Sequence, residues 1–205
     1  MKKLLVLTVV LALVSFGLFF TSCDNAEGMK NLLEVARETE GMESLIVVID
    51  FIEENLTEAV IREDLANDSL TFTVFAPDNE AFVDFFEAEG TVLTETDIVE
   101  SWMAGLYDTD AEFAEELLNL LGLHVIEDQE LFEFDIIAAD NSSIGPTLYG
   151  DGTTYLNVAV DIENIIRLDP DTEKLGDHAY IETTDIEASN GVAHIINAVM
   201  YPEPS

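Results

Sequence analysis

The chain has 205 residues, of which 48% are hydrophobic, and its 43 acidic residues against 7 basic ones give a formal charge of −36. That hydrophobic content is enough to bury a core, which excludes a disordered acidic chain. The charge repels phosphate backbones and anionic headgroups, so we expect no nucleic-acid partner. General solubility and a saline habitat would each account for the acidic surface.

The amino terminus has the layout of a secretory signal peptide. Lys2 and Lys3 precede a mostly apolar run of 17 residues, 4–20, and the small residues Thr21 and Ser22 follow it. A basic end, an apolar centre and small residues before a cut are typical of secretion signals. The run is at the short end for a membrane span, so an uncleaved anchor is the alternative.

Cys23 is the sole cysteine of the chain and follows Ser22 directly. The stretch FTSC resembles a bacterial lipobox, with Phe20 where leucine is usual. The resemblance implies that residues 1–22 are removed, that Cys23 is lipidated, and that residues 23–28 form a tether. The protein would then be lipid-anchored and extracytoplasmic in the cell envelope, periplasmic or surface-exposed. Loss of Lys2 and Lys3 leaves 43 acidic and 5 basic residues, a formal charge of −38.

Apolar side chains then recur at helical spacing. The first helix is predicted to end at Gly41, and the third helical stretch at a turn of Asn67 and Asp68. The apolar positions are Leu32, Leu33 and Ala36, then Leu45, Val48, Ile49 and Ile52, then Leu56, Val60 and Leu65.

The stretch TFTVFAPDNEAF, residues 71–82, begins as a predicted strand. Phe72, Val74 and Phe75 suit a pleated surface, with Phe75 on the face opposite the other two. Pro77 ends the strand, because it lacks a backbone donor.

A helix is predicted directly after this strand. Asp78 and Asn79 can each accept hydrogen bonds from the free N–H groups of its first turn. The apolar side chains of Ala81, Phe82, Phe85 and Phe86 recur on one of its faces.

Another helical region is predicted between Asp97 and Gly122, and strands beyond His124. No long linker or internal repeat divides the chain, and helices precede most strands, which favours a single α+β domain. The helical positions are Ile98, Trp102, Met103, Phe113, Leu117, Leu118 and Leu121; the predicted strands include Phe132 with Phe134, Thr147 with Tyr149, residues 155–160, residues 180–186 and residues 192–201.

Four segments in order resemble the fasciclin domain family. TFTVFAPDNEAF and NGVAHIINAVMYP (190–202) resemble its two signature boxes, LLGLHVIEDQEL (120–131) its central segment, and TLYGDGTTYLNV (147–158) its hairpin. The resemblance implies a domain over residues 29–202, followed by a tail at 203–205. It also implies an α+β wedge of two β-sheets with flanking helices, the two boxes as adjacent core strands, and a role in adhesion. The structural box residues it identifies are Phe72, Val74, Phe75, Pro77, Asp78, Phe82, Asn190, Gly191 and His194.

Two features depart from the family pattern. Leu123 stands where many members have the tyrosine of a Tyr–His pair that is linked to adhesion in some of them. Leu123 and His124 are therefore the candidate adhesion motif by position. Residues 161–177 are longer than the usual link before the last strands, which suggests a loop specific to this chain.

Catalytic and metal chemistry have little support in the sequence. His124, His178 and His194 are far apart, so no metal site is expected; apolar surroundings favour structural roles for His124 and His194, and a polar loop favours a solvated His178. Acid pairs such as Glu53/Glu54 and Glu115/Glu116 are expected by chance in so acidic a chain. Residues 169–173 could offer oxygens to calcium, but they lack the spacing and glycine of an EF-hand loop.

Two functions follow. The first is a non-catalytic binding module that mediates adhesion to cells, matrix or polysaccharide, with an unknown protein or glycan ligand, no cofactor, and divalent cations bridging acidic surfaces. The alternative is an enzyme or accessory factor with a small-ligand pocket on an acidic face. A pocket with convergent polar groups would favour the alternative.

Overall fold

The computed structural model describes residues 28–57, 59–88, 111–148, 150, 152–170 and 178–201. Several predicted features lie outside the described residues: the predicted signal segment 1–22, Cys23, the predicted helical positions Ile98, Trp102 and Met103, and the predicted tail 203–205. The helices are α1 Leu32–Glu38, α2 Glu43–Asn55, α3 Ile61–Leu65, α4 Asn79–Ala88, α5 Ala111–Gly122 and α6 Glu133–Ala138; the strands are β1 Phe72–Pro77, β2 Val125–Glu127, β3 Ser142–Ile144, β4 Leu156–Val160, β5 Ile166–Pro170, β6 Ala179–Ala188 and β7 Gly191–Ile196.

The strands pair in the order β2-β1-β7-β6-β5-β4-β3. Within the described residues, β1 and β7 are the one parallel pair, and the other neighbouring strands are antiparallel. Strand β6 belongs to both halves, because Ala179 and Tyr180 pair with β5 while residues 181–188 pair with β7. Register shifts between Ile181 and Ile186 mark an irregular stretch of β6. The α+β class predicted for the chain is confirmed, with the two groups of strands joined through β6.

Hydrophobic cores lie on both faces of β1. One core packs α2, α4 and α5 together and contains Phe82, which is fully buried. The other contains Phe75, also fully buried, with side chains from β4 and β5. Phe72 packs in a smaller cluster with Leu32, and the half-buried Val74 contacts the helical side. Phe75 therefore points away from Phe72 and Val74, because successive side chains of a strand alternate between faces.

Helix α4 is capped by one of the two predicted side chains. Asp78 Oδ1 accepts from the Ala81 N–H at 2.7 Å. Asn79 does not cap α4: its Oδ1 accepts from the Ser44 N–H at 2.8 Å, in the first turn of α2. The predicted role of Asn79 is therefore wrong, because a helix distant in sequence presents a free donor closer to its side chain.

The strand predicted at Phe132 and Phe134 is wrong, because residues 133–138 form helix α6. Asp135 accepts from the Phe132 N–H at 3.1 Å, and Asp185 accepts from the Glu133 N–H at 2.7 Å. These carboxylates satisfy the donors of the first turn. Phe134 is 69% exposed on this helix.

The prediction of a loop across residues 161–177 is also corrected. Residues 166–170 form strand β5, which pairs with β4 along its whole length. Ile166 and Leu168 are buried in the same core as Phe75. The loop interpretation missed that Ile166 and Leu168 alternate with polar Arg167 and Asp169. Residues 171–177 lie outside the described part of the chain.

The third predicted helical stretch is only partly helical. Helix α2 ends at Asn55 and α3 begins at Ile61, so Leu56 and Val60 lie in the connection between them and Leu65 lies in α3.

Of the helices in the described ranges, none combines the length and the apolar character needed to cross a bilayer.

Candidate functional site

The two signature boxes lie side by side, as predicted. Strands β1 and β7 pair in parallel register, with Phe72 opposite Gly191 and Phe75 opposite His194. Pro77 is opposite Ile196 at the end of the ladder. The rings of Phe75 and His194 stack with their centroids 5.5 Å apart. The boxes therefore form the central strand pair of the fold.

Asn190 connects this strand pair to the amino-terminal helices. Its Oδ1 accepts from the Leu32 N–H at 2.8 Å, and its Nδ2 donates to the Leu65 carbonyl at 3.0 Å. The Ser189 N–H donates to the Lys30 carbonyl at 2.8 Å. A buried amide that uses both its donor and its acceptor fixes the start of α1 against the β6–β7 turn.

His194 is completely buried and connects three segments. Its Nε2 donates to the Leu131 carbonyl at 2.8 Å, and its Nδ1 accepts from the Asp185 N–H at 3.3 Å. Asp185 has φ 58° and lies in the irregular stretch of β6. Burial lowers the pKa of His194, opposed by the Leu131 carbonyl and by the charges of Asp185 and Glu133. The neutral imidazole is the form that satisfies both partners.

His124 makes a second buried connection with the opposite tautomer. Its Nδ1 donates to the Leu120 carbonyl at 2.9 Å, and its Nε2 accepts from the Met200 N–H at 2.9 Å. The ring therefore joins the end of α5 to the segment after β7. Burial lowers the pKa of His124 to about 4, and the bond to Leu120 opposes that shift. Protonation would place a hydrogen against the Met200 donor.

The candidate adhesion motif lies inside the protein. Leu123 is 0% exposed and His124 is 2% exposed. Leu123 packs in the same core as Phe75, and both nitrogens of His124 are occupied by backbone groups. Neither side chain is accessible to a partner molecule, so the geometry does not support an adhesive contact by this pair.

The buried His124 predicts a stability that falls with decreasing pH. The unfolded chain binds a proton at this histidine below about pH 6.5, whereas the folded chain does so only near pH 4. The contribution of neutral His124 to the free energy of unfolding is therefore fully present above about pH 6.5. It declines between pH 6.5 and 4, and about 2 kcal/mol is lost at pH 5. His194 acts in the same direction. Urea melts at pH 7.5, 6.5, 5.5 and 5.0 measure the decline, and His124→Gln should reduce it. Equal pH dependence in the two proteins would contradict this account.

A cavity of about 340 Å³ opens between α4, the start of β6 and the segment after β7. Its side chains include Asp84 and Phe85 of α4, Tyr180 of β6, and Asn197 and Tyr201 beyond β7. His178 also borders it. The cavity combines aromatic rings with polar groups from three separate segments, which is the usual composition of a small-molecule site.

His178 lies in a loop directly before β6, as predicted, and besides being partly exposed it contacts a buried carboxylate. Its Nδ1 contacts Asp169 Oδ1, and its side chain is 36% exposed. The carboxylate of Asp169 is largely buried and also accepts from Arg167 Nε at 3.0 Å. Asp169 is thus committed to two cationic or polar partners, and it is not available as the calcium ligand considered from the sequence.

The described residues contain no group of three or more His, Cys, Asp or Glu side chains placed to hold a metal ion. Of the predicted acid pairs, Glu53 bonds to Arg62: one of its oxygens accepts from the Arg62 N–H at 2.7 Å, and the other contacts Nε. Glu53 therefore stabilises the start of α3, and its carboxylate has a structural role there.

Sequence patterns did not reveal the cavity. Asp84 and Tyr180 are nearly a hundred residues apart, and neither belongs to a recognisable motif. Asp84 resembles any other acid on a charged helix face, and Tyr180 any aromatic residue on a strand. The one available signal was Tyr201, an aromatic residue at the end of the second box.

The central strand pair β1–β7 runs parallel, whereas the other neighbouring strands described are antiparallel. Buried Asn190 connects this pair to α1 and α3, His124 connects α5 to the segment after β7, and His194 connects β7 to Leu131 and β6. The box residues thus serve the packing of an α+β module. The model of the Fasciclin domain matches residues 52–202, and the chain belongs to the fasciclin domain family. Fasciclin domains are generally adhesion-related, non-catalytic modules.

A solved structure has a similar fold. It is a FAS1 domain pair from the insect cell adhesion molecule fasciclin I, with a TM-score of 0.51 and 20% sequence identity. The match covers 77% of this chain and 45% of that chain, so this protein spans less than half of the domain pair. Among curated proteins the comparison found no match.

Proposed function

We propose that this protein is an envelope-anchored, non-catalytic module that mediates adhesion to cells, matrix or polysaccharide. The observation that carries the proposal is that the side chains of the family boxes are buried inside the domain. Phe75 and Phe82 pack in the cores, and Asn190 and His194 make buried hydrogen bonds. None of these four side chains presents a reactive group to solvent. Binding then belongs to the outer surface, as in an adhesive module.

The turn between β4 and β5 is the surface we assign to this contact. Ile162 is fully exposed and Ile165 is 43% exposed. The turn is ordered by Asp161, whose Oδ1 accepts from the N–H groups of Glu163 at 2.7 Å and Ile165 at 3.0 Å. Exposed apolar side chains on an ordered turn gain free energy when a partner covers them, and little conformational entropy is lost because the turn is already fixed.

Lipid anchoring is supported by the lipobox-like FTSC and by the position of α1. The chain joins the domain at Lys30 and Leu32, which are held by the turn of Ser189 and Asn190. A tether at residues 23–28 would therefore lead directly into a fixed part of the fold.

Cys23→Ser should leave the protein unlipidated and released from membranes, because no other cysteine can take its place. Cell fractionation followed by immunoblotting measures the released share. The signal residues are unchanged in this variant, so export serves as its own control. If the variant stays with the membrane at the wild-type level, an uncleaved helix holds the chain and the lipoprotein proposal is wrong.

Cells that display the full chain test the adhesive role. We expect them to aggregate or to bind glycan- and protein-coated surfaces, and we expect Ile162→Ser to reduce this at equal surface level. Phe134→Ser, which alters another exposed apolar side chain, is the matched control. Calcium and a chelator test cation bridging, since a charge of −36 repels anionic surfaces. Adhesion that is unchanged by removal of the displayed protein would overturn the proposal.

The cavity beside α4 favours a second candidate function, that of an accessory factor that binds a small ligand. Its volume falls within the range of small-molecule sites, and its lining combines aromatic and polar side chains.

A further inference from the structure

The cavity beside α4 has the lining of a site for an organic cation. Three of its side chains, Phe85, Tyr180 and Tyr201, are aromatic, and Asp84 supplies a carboxylate. None of the described residues that line it is Lys or Arg. Aromatic faces carry partial negative charge and attract ammonium groups within about 6 Å of the ring centre.

Two of the aromatic rings contact each other, and the backbone of the third aromatic residue is fixed by hydrogen bonds. Phe85 and Tyr201 meet edge to face, with ring centroids 5.5 Å apart. The backbone of Tyr180 is fixed by Asn197, whose Oδ1 accepts from the Tyr180 N–H at 2.9 Å and whose N–H donates to the Tyr180 carbonyl at 3.2 Å. Preorganised rings reduce the entropy lost on binding.

The electrostatics also favour a cation. Asp84 is exposed at the cavity, and a chain charge of −36 raises the local concentration of cations. Asp169 accepts from Arg167 Nε at 3.0 Å and also contacts His178, which borders the cavity. The carboxylate of Asp169 therefore offsets the charge of Arg167 within the protein.

We propose that this cavity binds an alkylammonium group, supplied either by a free quaternary amine or by a lysine side chain of a partner. The proposal rests on the second candidate function and names its ligand class. The ammonium group lies against Tyr180, Phe85 and Tyr201, and its charge faces Asp84.

The test uses the full chain and two probes of one shape. Choline carries the charged trimethylammonium group, and 3,3-dimethylbutanol is its neutral carbon isostere. Binding is followed by calorimetry or by ligand-observed NMR at fixed ionic strength, because added salt alone changes the screening of so charged a protein. We expect saturable binding of choline that is at least about fivefold tighter than binding of the isostere.

Matched variants place the site. Tyr180→Leu keeps an apolar side chain but removes the π face, and Asp84→Asn removes one charge without changing shape. Each should weaken choline binding by about threefold to thirtyfold. Tyr155→Leu, at a comparably exposed tyrosine outside the cavity, and Asp64→Asn, beside a different groove, should bind choline as the wild type does. Thermal melts verify that all four variants fold.

The source of the group is distinguished by two peptides. A lysine-rich peptide that competes with choline, when its acetyl-lysine form does not, identifies a partner side chain; choline binding without such competition identifies a free amine. Equal binding of choline and its isostere, or choline binding that Tyr180→Leu and Asp84→Asn leave unchanged, would overturn the proposal. If a neutral sugar stabilised the protein and choline did not, and if this stabilisation were lost in Tyr180→Leu, the alkylammonium proposal would be overturned. The proposed small-ligand function would then still stand.

Discussion

Gly191→Ala is expected to prevent folding, or to lower the free energy of unfolding by more than about 4 kcal/mol. A Cβ at this position would lie 2.0 Å from the carbonyl oxygen of Phe72 and 2.9 Å from its carbonyl carbon. Both are backbone atoms of the neighbouring strand, so the clash cannot be relieved by a change of rotamer. The backbone also has φ +145°, a conformation that side chains rarely adopt.

Gly41→Ala is the matched control for this prediction. Gly41 also has a positive φ, +89°, but nothing lies within 4 Å of the Cβ that alanine would add. It should therefore show the conformational penalty alone, about 1–2 kcal/mol. Soluble yield and urea melts compare the two variants. If Gly191→Ala is as stable as Gly41→Ala, β1 and β7 are farther apart than the structure places them.

The parts of the fold that were predicted correctly depend on residues close together in sequence. The apolar positions Leu45, Val48, Ile49 and Ile52 repeat at helical spacing and form α2. Asp78 caps the helix that begins one residue later. In such elements the periodicity and the cap are both contained in a dozen residues, so the sequence is enough.

The parts that were wrong depend on distant partners. Phe132 and Phe134 alternate as in a strand, yet α6 forms there, with Asp185 of β6 accepting from Glu133. Asn79 has the right chemistry to cap α4, but it caps α2 instead. In each case a tertiary contact decides between local options of similar energy.

The same distinction separates the family boxes from the cavity. The boxes and the central segment were found by their sequence, and the structure places His194 and His124 in them as buried connectors. The cavity is formed by Asp84, Tyr180 and Tyr201, which meet only once α4, β6 and the end of the chain are assembled. The resemblance therefore located the scaffold, and the packed structure was needed to locate the cavity.

Phe82→Ala should lower the free energy of unfolding by about 3–5 kcal/mol, as truncation of a buried phenylalanine does elsewhere. Phe82 is 0% exposed, stacks on Phe86 with centroids 6.3 Å apart, and lies in the core shared by α2, α4 and α5. Its loss removes apolar contacts and leaves a cavity where three helices meet, which cannot close without shifting one of them. Phe134→Ala, at a ring that is 69% exposed, should change stability by less than about 0.5 kcal/mol. Urea melts of both variants at pH 7.5 give the comparison, and similar small losses for the two would show that α4 does not pack through Phe82.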